Sequence, residues 1–291
     1  MPTSGGRAYE VLIVGADTDA VNIIAEGLRS LEMAALPQAE KTFDVSVIVS
    51  NGLTQATRYA RNIVLVTTGI DSLRSPHISY AHNTYAQPQL VLHVRASSAS
   101  QLRRYINNNV RAIEHLLVIQ ELNNGIATLQ DKHNRQAEQL VRGLFGVRLW
   151  VPEDLTKWKR GKDFVWLSNN SVQGMQNICV YRYQGKQRPA EAMITVRDSV
   201  MRLNMPGEAD GAYMTTVRSS IVTRMTSRGQ TEMHGLWKMQ GDFMGGPFVS
   251  LSMPQGDSTL VVEAFVYAPE MKKRSLVRRL EASLHTLKIE D

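Results

Sequence analysis

Short apolar runs rich in β-branched residues recur along this chain, and their arrangement constrains the fold more than any other feature. In the first half they cover residues 9–14, 43–49, 62–67 and 89–95. Runs of this length and composition are typical of β-strands. Because they cluster instead of alternating regularly with helical segments, they predict an α+β fold of mostly antiparallel sheets, with helices packed on one face.

Both halves of the chain end with an apolar strand, a short turn and an amphipathic helix. In the first half the helix follows Ser97 or Ser100, and we expect it to break at residues 123–125 and then to continue to about Phe145. The final helix is predicted over residues 269–287. This shared ending is consistent with a chain of two related α/β sandwich halves.

The patterns divide the chain into three segments. Residues 1–8 are small and polar and predict an N-terminal tether. Residues 9–146 predict an α+β half with long helices at its end, and residues 147–291 predict a β-rich half closed by a C-terminal amphipathic helix. In the second half we predict a helix over residues 212–224 and strands over residues 147–151, 163–167, 177–183, 192–196, 235–239, 247–253 and 259–267.

Composition excludes several classes of protein. Of the 291 residues 43% are hydrophobic and 21% charged, which excludes a disordered or collagen-like chain. The single cysteine, Cys179, excludes an internal disulfide framework and a multi-cysteine zinc or iron–sulfur site. The sequence has no G-x-S-x-G, H-E-x-x-H, P-loop or C-x-x-C motif. We therefore predict no catalytic residue, no metal ligand and no cofactor.

Two polar segments are candidates for sites but are explained by structure alone. The turn at residues 15–19 follows the first strand, where α/β proteins bind phosphate, but it has one glycine and two carboxylates, so we expect Asp17 to cap a helix. His77 and His82 lie in a predicted loop over residues 69–88. Their spacing there fixes no ligand geometry, and we expect exposed loop histidines.

The most unusual segment runs from Gly235 to Phe248. Its Gly-Gly-Pro sequence permits a sharp change of backbone direction, and large apolar side chains surround the bend. Two interpretations stay open: a groove that binds a ligand, and a β-hairpin with a packed tip. The candidate binding residues are Trp237, Phe243, Met244, Gly245, Gly246, Pro247 and Phe248, together with Arg61 and Asn62 in a separate turn.

The formal net charge of +6 makes nucleic acid or an anionic membrane surface a possible partner. The positive charges are densest in the final helix, and leucines at helical spacing lie on its other side. This pattern is typical of a docked helix with a solvated face. The cations concerned are Lys272, Lys273, Arg274, Arg278 and Arg279.

Several short motifs together resemble an uncharacterised lipoprotein family of Bacteroidota, which contains a domain of unknown function. The resemblance covers nearly the whole chain. The motifs that carry it most clearly are Leu36-Pro37-Gln38, Met244-Gly245-Gly246-Pro247-Phe248 and Phe265-Val266-Tyr267-Ala268-Pro269. The resemblance implies an exported, lipid-anchored protein of the cell envelope, in the periplasm or at the outer membrane, whose signal peptide and anchor cysteine have been removed from this sequence.

From these observations we expect a non-catalytic envelope protein that binds a partner protein or an envelope polymer. The motif residues are glycines, prolines and aromatics, which shape surfaces, and not the side chains that transfer protons. An envelope hydrolase acting on glycan or peptide is the alternative. Nucleic acid is not expected as a partner, because an exported protein does not meet the genome, and an anionic membrane surface is the less favoured binding partner.

Overall fold

A computed structural model describes residues 1–186, 189–207 and 209–290. The chain divides into two compact units: Met1–Met33 with Lys41–Asn124, and Ala34–Glu40 with the chain from Gly125 onward. The predicted boundary between residues 146 and 147 lies further along the chain than this division. The predicted α+β class is confirmed. No helix in the described part of the chain is long and apolar enough to cross a membrane.

A five-stranded sheet forms the centre of the first unit, with strand order β2-β1-β3-β5-β4. β1 pairs in parallel with β2 and β3, and β3 with β5, whereas β4 is antiparallel to β5. The elements are β1 Glu10–Gly15, α1 Thr18–Ser30, β2 Asp44–Val49, a 3-10 turn Thr57–Tyr59, β3 Asn62–Thr67, β4 His77–His82, β5 Leu90–Arg95 and the start of α2 Ala99–Asp131.

Helices α1 and α2 cover one face of this sheet. Alternate residues of β1, such as Val11 and Ile13, enter the core that α1 and α2 complete with residues such as Ile24 and Leu117. The residues between them, such as Leu12, point to the other face. The β-branched strands therefore bury one face against helices, as predicted, while three of the four pairings in this sheet are parallel because α1 and later segments serve as crossovers.

Strand β4 and the N-terminal segment differ from their predictions. The segment predicted as a long loop with His77 and His82 contains β4, an edge strand whose half-exposed, polar sequence gives no strand signal. Residues 1–8 run along the first unit: the Ser4 N–H donates to the Gln87 carbonyl (3.1 Å), and the Gly5 N–H donates to the Tyr59 carbonyl (2.7 Å).

The second unit contains a seven-stranded antiparallel sheet of order β10-β11-β12-β13-β9-β8-β7 and a small pairing of β14 with β6. Helix α4 packs on one face and α5 on the other. The elements are α3 Arg135–Phe145, β6 Val147–Arg148, β7 Lys157–Gly161, β8 Phe164–Ser168, β9 Met175–Gln184, α4 Ala190–Asn204, β10 Tyr213–Met225, β11 Thr231–Gln240, β12 Gly245–Gln255, β13 Ser258–Tyr267, α5 Arg274–Leu284 and β14 Lys288–Ile289.

Two predictions for this half are wrong. The segment predicted as a strand over residues 192–196 belongs to α4, whose buried residues Met193, Ile194, Arg197 and Met201 follow the helical period. The segment predicted as a helix over residues 212–224 is β10, in which burial alternates at its start and the remainder is largely exposed. In both segments the short apolar run fits either period, and tertiary contacts decide the structure.

Helix α2 does not break at residues 123–125 but continues to Asp131. The Gln120 side-chain amide donates to the Asn124 side-chain carbonyl (2.9 Å), so these polar residues bond along the helix. A Cβ atom on Gly125 would lie 2.8 Å from the Cβ of Ala282. Gly125 therefore gives space to a neighbouring side chain and does not end the helix.

The edges of the seven-stranded sheet are β7 and β10. β7 has the sequence KWKRG, and its first four residues are exposed. β10 pairs with β11 in two stretches whose register shifts between Val217 and Val222, which is a β-bulge. Neither edge is a long, flat, apolar strand.

The hairpin of β11 and β12 packs the rings of Trp237 and Phe248 inward. The Trp237 ring is buried and contacts the edge of the Phe265 ring, with ring centroids 5.5 Å apart. The Trp237 indole N–H donates to the Val266 carbonyl (3.3 Å). A Cβ atom on Gly246 would lie 2.0 Å from that same carbonyl oxygen. Gly246 thus allows the close strand approach that places Trp237.

We predict that Gly246→Ala lowers the free energy of unfolding by about 2 kcal/mol or more, because the added methyl group meets backbone that has to shift. Gly143 in α3 is the matched control, since no atom lies within 4 Å of the Cβ it would gain. Gly143→Ala should raise stability by up to about 1 kcal/mol through helix propensity. Urea denaturation measures whether the free energy of unfolding falls in Gly246→Ala and rises in Gly143→Ala. Equal stabilities of the two variants would contradict the packing described.

We predict that Trp237→Ala lowers the free energy of unfolding by about 3–5 kcal/mol, because it removes a large buried ring. Phe243, at the tip of the same hairpin, is fully exposed. Phe243→Ala should change stability by no more than about 0.5 kcal/mol. Thermal unfolding followed by circular dichroism distinguishes the two, and a stable Trp237→Ala protein would show that the ring is not part of the core.

Candidate functional site

A polar pocket lies in the first unit at the carboxyl ends of its parallel strands. Residues that follow β1, β2 and β3 line it, among them Asp17, Ser50 and Thr68. Parallel strands end at the same edge of a sheet, so the segments after them converge there. The strand order reverses between β1 and β3, because β2 lies on one side of β1 and β3 on the other. Open α/β sheets bind ligands at this position.

The lining of this pocket is positively charged. Arg58 comes from the segment between β2 and β3, and His93 and Arg95 come from β5. In the sheet His93 lies opposite Leu65, and Arg95 lies opposite Thr67. The pocket has a volume of about 720 Å³, which is in the usual range for small-molecule sites.

Asp17 is the one carboxylate among the described residues that line the pocket, and its oxygens already have partners. One oxygen accepts from the Ala20 N–H (3.1 Å), which caps helix α1 as predicted, and the other accepts from the Thr68 hydroxyl (2.8 Å). These two hydrogen bonds hold the pKa of Asp17 below its ordinary value. Asp17 is therefore ionised and engaged, with little capacity to act as a base.

His93 is neutral in this setting. Partial burial lowers the pKa of His93, and the positive charge of Arg95 lowers it further. Arg58 donates to the Tyr59 hydroxyl (3.0 Å), and its Nε has no hydrogen-bond acceptor among the described residues. With two permanent cations, a neutral imidazole and one engaged carboxylate, the pocket is suited to an anionic group.

The pocket does not present a catalytic arrangement in the described part of the chain. Among the described residues, no hydrogen bond joins His93 to a hydroxyl or to a carboxylate, and the Ser50 hydroxyl donates to the Gly52 carbonyl (3.0 Å). A nucleophile needs a base within hydrogen-bond reach. The geometry supports recognition of a charge more directly than the breaking of a bond.

A second group of polar side chains is buried in the second unit. Glu232 and His234 lie on β11 with one residue between them, so their side chains share a face of the sheet. Glu281 lies on α5, and His285 follows directly after this helix. One ligand atom from each of Glu232, His234 and Glu281 lies within 4.8 Å of the others. We call these three residues and His285 the carboxylate–histidine cluster.

Both carboxylates of this cluster are ionised. Burial raises the pKa of Glu232, but the contacts of its carboxylate with His234, His285 and Arg224 outweigh this effect and hold the pKa well below its ordinary value. Burial likewise opposes ionisation of Glu281, and the charge of Arg278, followed by that of His234, lowers its pKa. Two negative charges are thus kept inside the second unit. These are the described side chains best placed to hold a cation.

The structure places the predicted hairpin residues at different depths. Trp237 and Phe248 are buried in the core, Met244 is partly buried against it, and Phe243 is fully exposed at the tip. Gly245, Gly246 and Pro247 form the start of β12. A ligand in solvent reaches Phe243, but it does not reach the Trp237 and Phe248 rings.

Arg61 and Asn62 belong to the first unit and surround a buried carboxylate. The Arg61 guanidinium donates to both oxygens of Glu121 (3.2 and 2.7 Å), and the Asn62 amide donates to the same carboxylate (2.7 Å) and to the Glu10 carbonyl (3.0 Å). These bonds attach the start of β3 to α2. Their geometry is sufficient for a structural role.

Sequence reasoning missed the pocket residues Arg58, His93 and Arg95, and it missed the carboxylate–histidine cluster. The sequence did contain a signal for the pocket. If the strands that end near residues 14, 49 and 67 are parallel, their carboxyl ends lie together at one edge of the sheet. For the cluster the available signal was Glu232 and His234 two residues apart on a strand. The contribution of α5 depends on tertiary packing, which no local pattern gives.

Two family models match the chain. Residues 134–286, more than half of the chain, match "Domain of unknown function (DUF4837)", and residues 4–130 match "Domain of unknown function (DUF8532)". No curated protein matches.

Two solved structures are similar over half of this chain. One is the solution structure of cyanobacterial PsbP (CyanoP) from Synechocystis sp. PCC 6803, with 8% identity, 87% of that chain covered and a TM-score of 0.31. The other is a crystal structure from Bacteroides thetaiotaomicron VPI-5482, with 14% identity, 46% of that chain covered and a TM-score of 0.23. Neither likeness is close enough to bear on function. The match over the second half is decisive for the family, and the chain belongs to the DUF4837 family.

Proposed function

We propose that this chain is a non-catalytic, lipid-anchored protein of the Bacteroidota cell envelope, and that it binds an anionic envelope polymer through the pocket of the first unit. The observation that carries the proposal is the pair of arginines, Arg58 and Arg95, in a pocket whose single described carboxylate is engaged. Arginine guanidinium groups are well suited to carboxylates and phosphates.

The envelope location rests on the resemblance of the LPQ, MGGPF and FVYAP motifs to a lipoprotein family, and the family match to a domain of unknown function is compatible with it. In that compartment the abundant anions are carboxylate- and phosphate-bearing glycans. A pocket with permanent cations and neutral hydrogen-bonding side chains has the chemistry to hold one such group. A protein partner, the other possibility from the sequence, would present the same charge on an acidic segment.

The anionic membrane surface has less support, because three of the five cations in and before the final helix already have partners. Lys273 is buried and donates to the Met271 carbonyl (2.8 Å), Arg278 donates to Glu281 (2.8 Å), and Arg279 pairs with Asp154. A membrane patch needs solvated, unpaired charge. The arginines of the proposed pocket are therefore better placed to bind an anion than the paired cations of this helix.

The double variant Arg58→Gln/Arg95→Gln tests the proposal. We expect it to bind anionic glycans at least about tenfold more weakly than the unaltered chain, because each charge-assisted contact contributes about 1.5–3 kcal/mol. Isothermal titration calorimetry should be run with two probes: carboxylate-bearing soluble peptidoglycan fragments and the phosphate-bearing core oligosaccharide of lipopolysaccharide. The probe that binds identifies which anion the pocket accepts.

Arg103→Gln is the matched control. Arg103 is an exposed arginine of the first unit that pairs with Glu26 (3.6 Å), away from the pocket lining. The Arg103→Gln variant should bind the anionic glycans as tightly as the unaltered chain does. For both proteins, binding should weaken as the salt concentration rises. Failure of both probes to bind the unaltered chain would refute the polymer proposal, and capture of an acidic protein segment by the same arginines would replace the polymer with a protein partner.

We predict that Asp17→Ala lowers the free energy of unfolding by about 1 kcal/mol, the usual contribution of a helix cap, and leaves glycan binding in place. The lowered pKa means that the ionised cap stabilises the fold above the unfolded-state pKa, and that this contribution is lost as the pH falls through the folded-state pKa. The stability difference between variant and unaltered chain should therefore be constant near neutrality and shrink below about pH 4. Urea denaturation at several pH values measures it.

The hydrolase alternative makes a different prediction for the same variant. If Asp17 were a catalytic carboxylate, Asp17→Ala would abolish turnover of glycan or peptide fragments that the unaltered chain cleaves. We expect no turnover by either protein. Cleavage by the unaltered chain alone, detected by chromatography of the fragments, would favour the hydrolase.

A further inference from the structure

We propose that Glu232, His234 and Glu281 bind one divalent transition-metal ion, with Zn²⁺ the best match, and that this ion joins strand β11 to helix α5. The inference concerns the second unit and is independent of the proposed function. The sequence shows only Glu232 and His234 two residues apart, and Glu281 comes from a distant segment that forms no motif with them.

The distances between the ligand atoms suit a tetrahedral ion. Zn–N and Zn–O bonds are about 2.0–2.2 Å, which separates two tetrahedral ligand atoms by about 3.4 Å. His234 Nε2 lies 2.7 Å from Glu232 Oε1 and 3.9 Å from Glu281 Oε1. The imidazole nitrogen and one oxygen of each carboxylate all lie within 4.8 Å of one another, so tetrahedral spacing requires a modest movement of side chains.

The donor set also selects the class of metal. One imidazole and two carboxylates suit zinc and similar first-row ions better than calcium or magnesium, which prefer oxygen ligands alone. Three protein ligands leave a fourth position for a water molecule. Glu232 and Glu281 are buried, and an ion that they share couples its binding to the folding of this part of the chain.

A second observation points to the same site. Glu232 is fully buried, and its Oε2 atom lies 3.4 Å from the buried Nε2 atom of His285 in an ion-pair contact, but neither atom makes a well-formed hydrogen bond within the described residues. Buried polar atoms without such bonds are uncommon and call for an explanation. With a metal ion on Oε1, the neighbouring His285 is placed to hold Oε2 and so to orient the carboxylate, as histidine and carboxylate partners do around metal sites.

In this structure two arginines donate hydrogen bonds to the two carboxylates. A metal ion that binds the carboxylates competes with these arginines. Arg224 donates to Glu232 Oε1 (2.6 Å), and 54% of its side chain is exposed. Arg278 donates to Glu281 Oε2 (2.8 Å), which leaves Oε1 facing the cluster. The exposed Arg224 side chain can move into solvent, so the metal ion and Arg224 are alternative partners of Glu232.

Zinc binding by the full chain is the test. After removal of metal with a chelator, addition of Zn²⁺ at about a hundred times its Kd should raise the Tm by about 5 °C or more. Mass spectrometry under native conditions should show one ion per chain. His234→Gln, whose amide still donates to Glu232, should abolish both effects.

His133→Gln is the matched control, because His133 is also buried beside a glutamate, with 3.1 Å between His133 Nε2 and Glu138 Oε2, in a pair that gains no third candidate ligand among the described residues. It should keep the zinc-dependent shift. An equal shift in His234→Gln, or no zinc uptake by the unaltered chain, would overturn the proposal. If His234→Gln fails to fold, His285→Gln replaces it, with an expected 10–100-fold loss of zinc affinity.

Arg224→Gln separates a metal site from a cluster that serves only as an ion-pair network. In a metal site this variant removes a competitor, so zinc should bind about tenfold more tightly, the effect of one charge-assisted hydrogen bond. In a network of ion pairs alone the variant loses stability and gains no affinity for zinc. Titration of zinc against a competing chromophoric chelator gives the affinity directly, and unchanged or weaker binding would count against the proposal.

Discussion

A buried carboxylate in the central strand of the large sheet determines how the second unit is organised. Strand β13 is buried on both faces, and Glu263 in its middle is fully enclosed. A carboxylate without a partner there would cost several kcal/mol. Arg197 of α4 meets it with two donors (3.0 and 2.7 Å), donates to the Thr216 hydroxyl (2.8 Å) and lies 4.0 Å above the centre of the Phe248 ring. The position of α4 on the sheet follows from this pairing.

The need of a buried carboxylate for a partner also separates charged groups that serve the fold from those that remain able to bind a ligand. Glu121 receives donors from Arg61 and Asn62, and Glu263 from Arg197, so these carboxylates are satisfied by the fold itself. Within the described residues, Glu232 accepts well-formed hydrogen bonds on one oxygen only, and its other oxygen faces His285 at 3.4 Å. Asp17 is engaged by its cap, so the two arginines of the pocket in the first unit have no carboxylate partner among the described residues. Places where the fold does not balance its charges are where binding is expected.

Local pattern was sufficient for most of the strands and for the start of α1. The β-branched residues 62–67 were predicted as a strand and form β3, and Asp17 caps α1 through its side chain as its position before an amphipathic segment indicated. Local pattern failed where burial was decided by distant partners. Arg197 appears polar in the sequence yet lies in the core, so the helical face of α4 was missed, and half-exposed β10 offered too few buried residues to show its period.

The candidate site residues also divide into those that local sequence identified and those whose role depends on distant partners. Gly246 and Trp237 stood out in the sequence because they are unusual, and the structure explains them by close strand packing. Arg95 and His93 did not stand out, since their meaning depends on the parallel order of β1, β3 and β5. Prediction from one sequence identifies which residues are chemically special, but which of them meet is a property of the topology.

The two edges of the seven-stranded sheet have a consequence for how this protein behaves when it is crowded at a surface. The unpaired N–H and C=O groups of an unprotected edge strand can bond to the edge strand of a neighbouring molecule. Repeated pairing of this kind leads to aggregation. Here one edge, β7, carries Lys157, Lys159 and Arg160 outward, so two such edges repel each other, and the other, β10, is bent by its bulge. Because charge repulsion is screened by salt whereas backbone shape is not, the β7 edge loses its protection first as ionic strength rises.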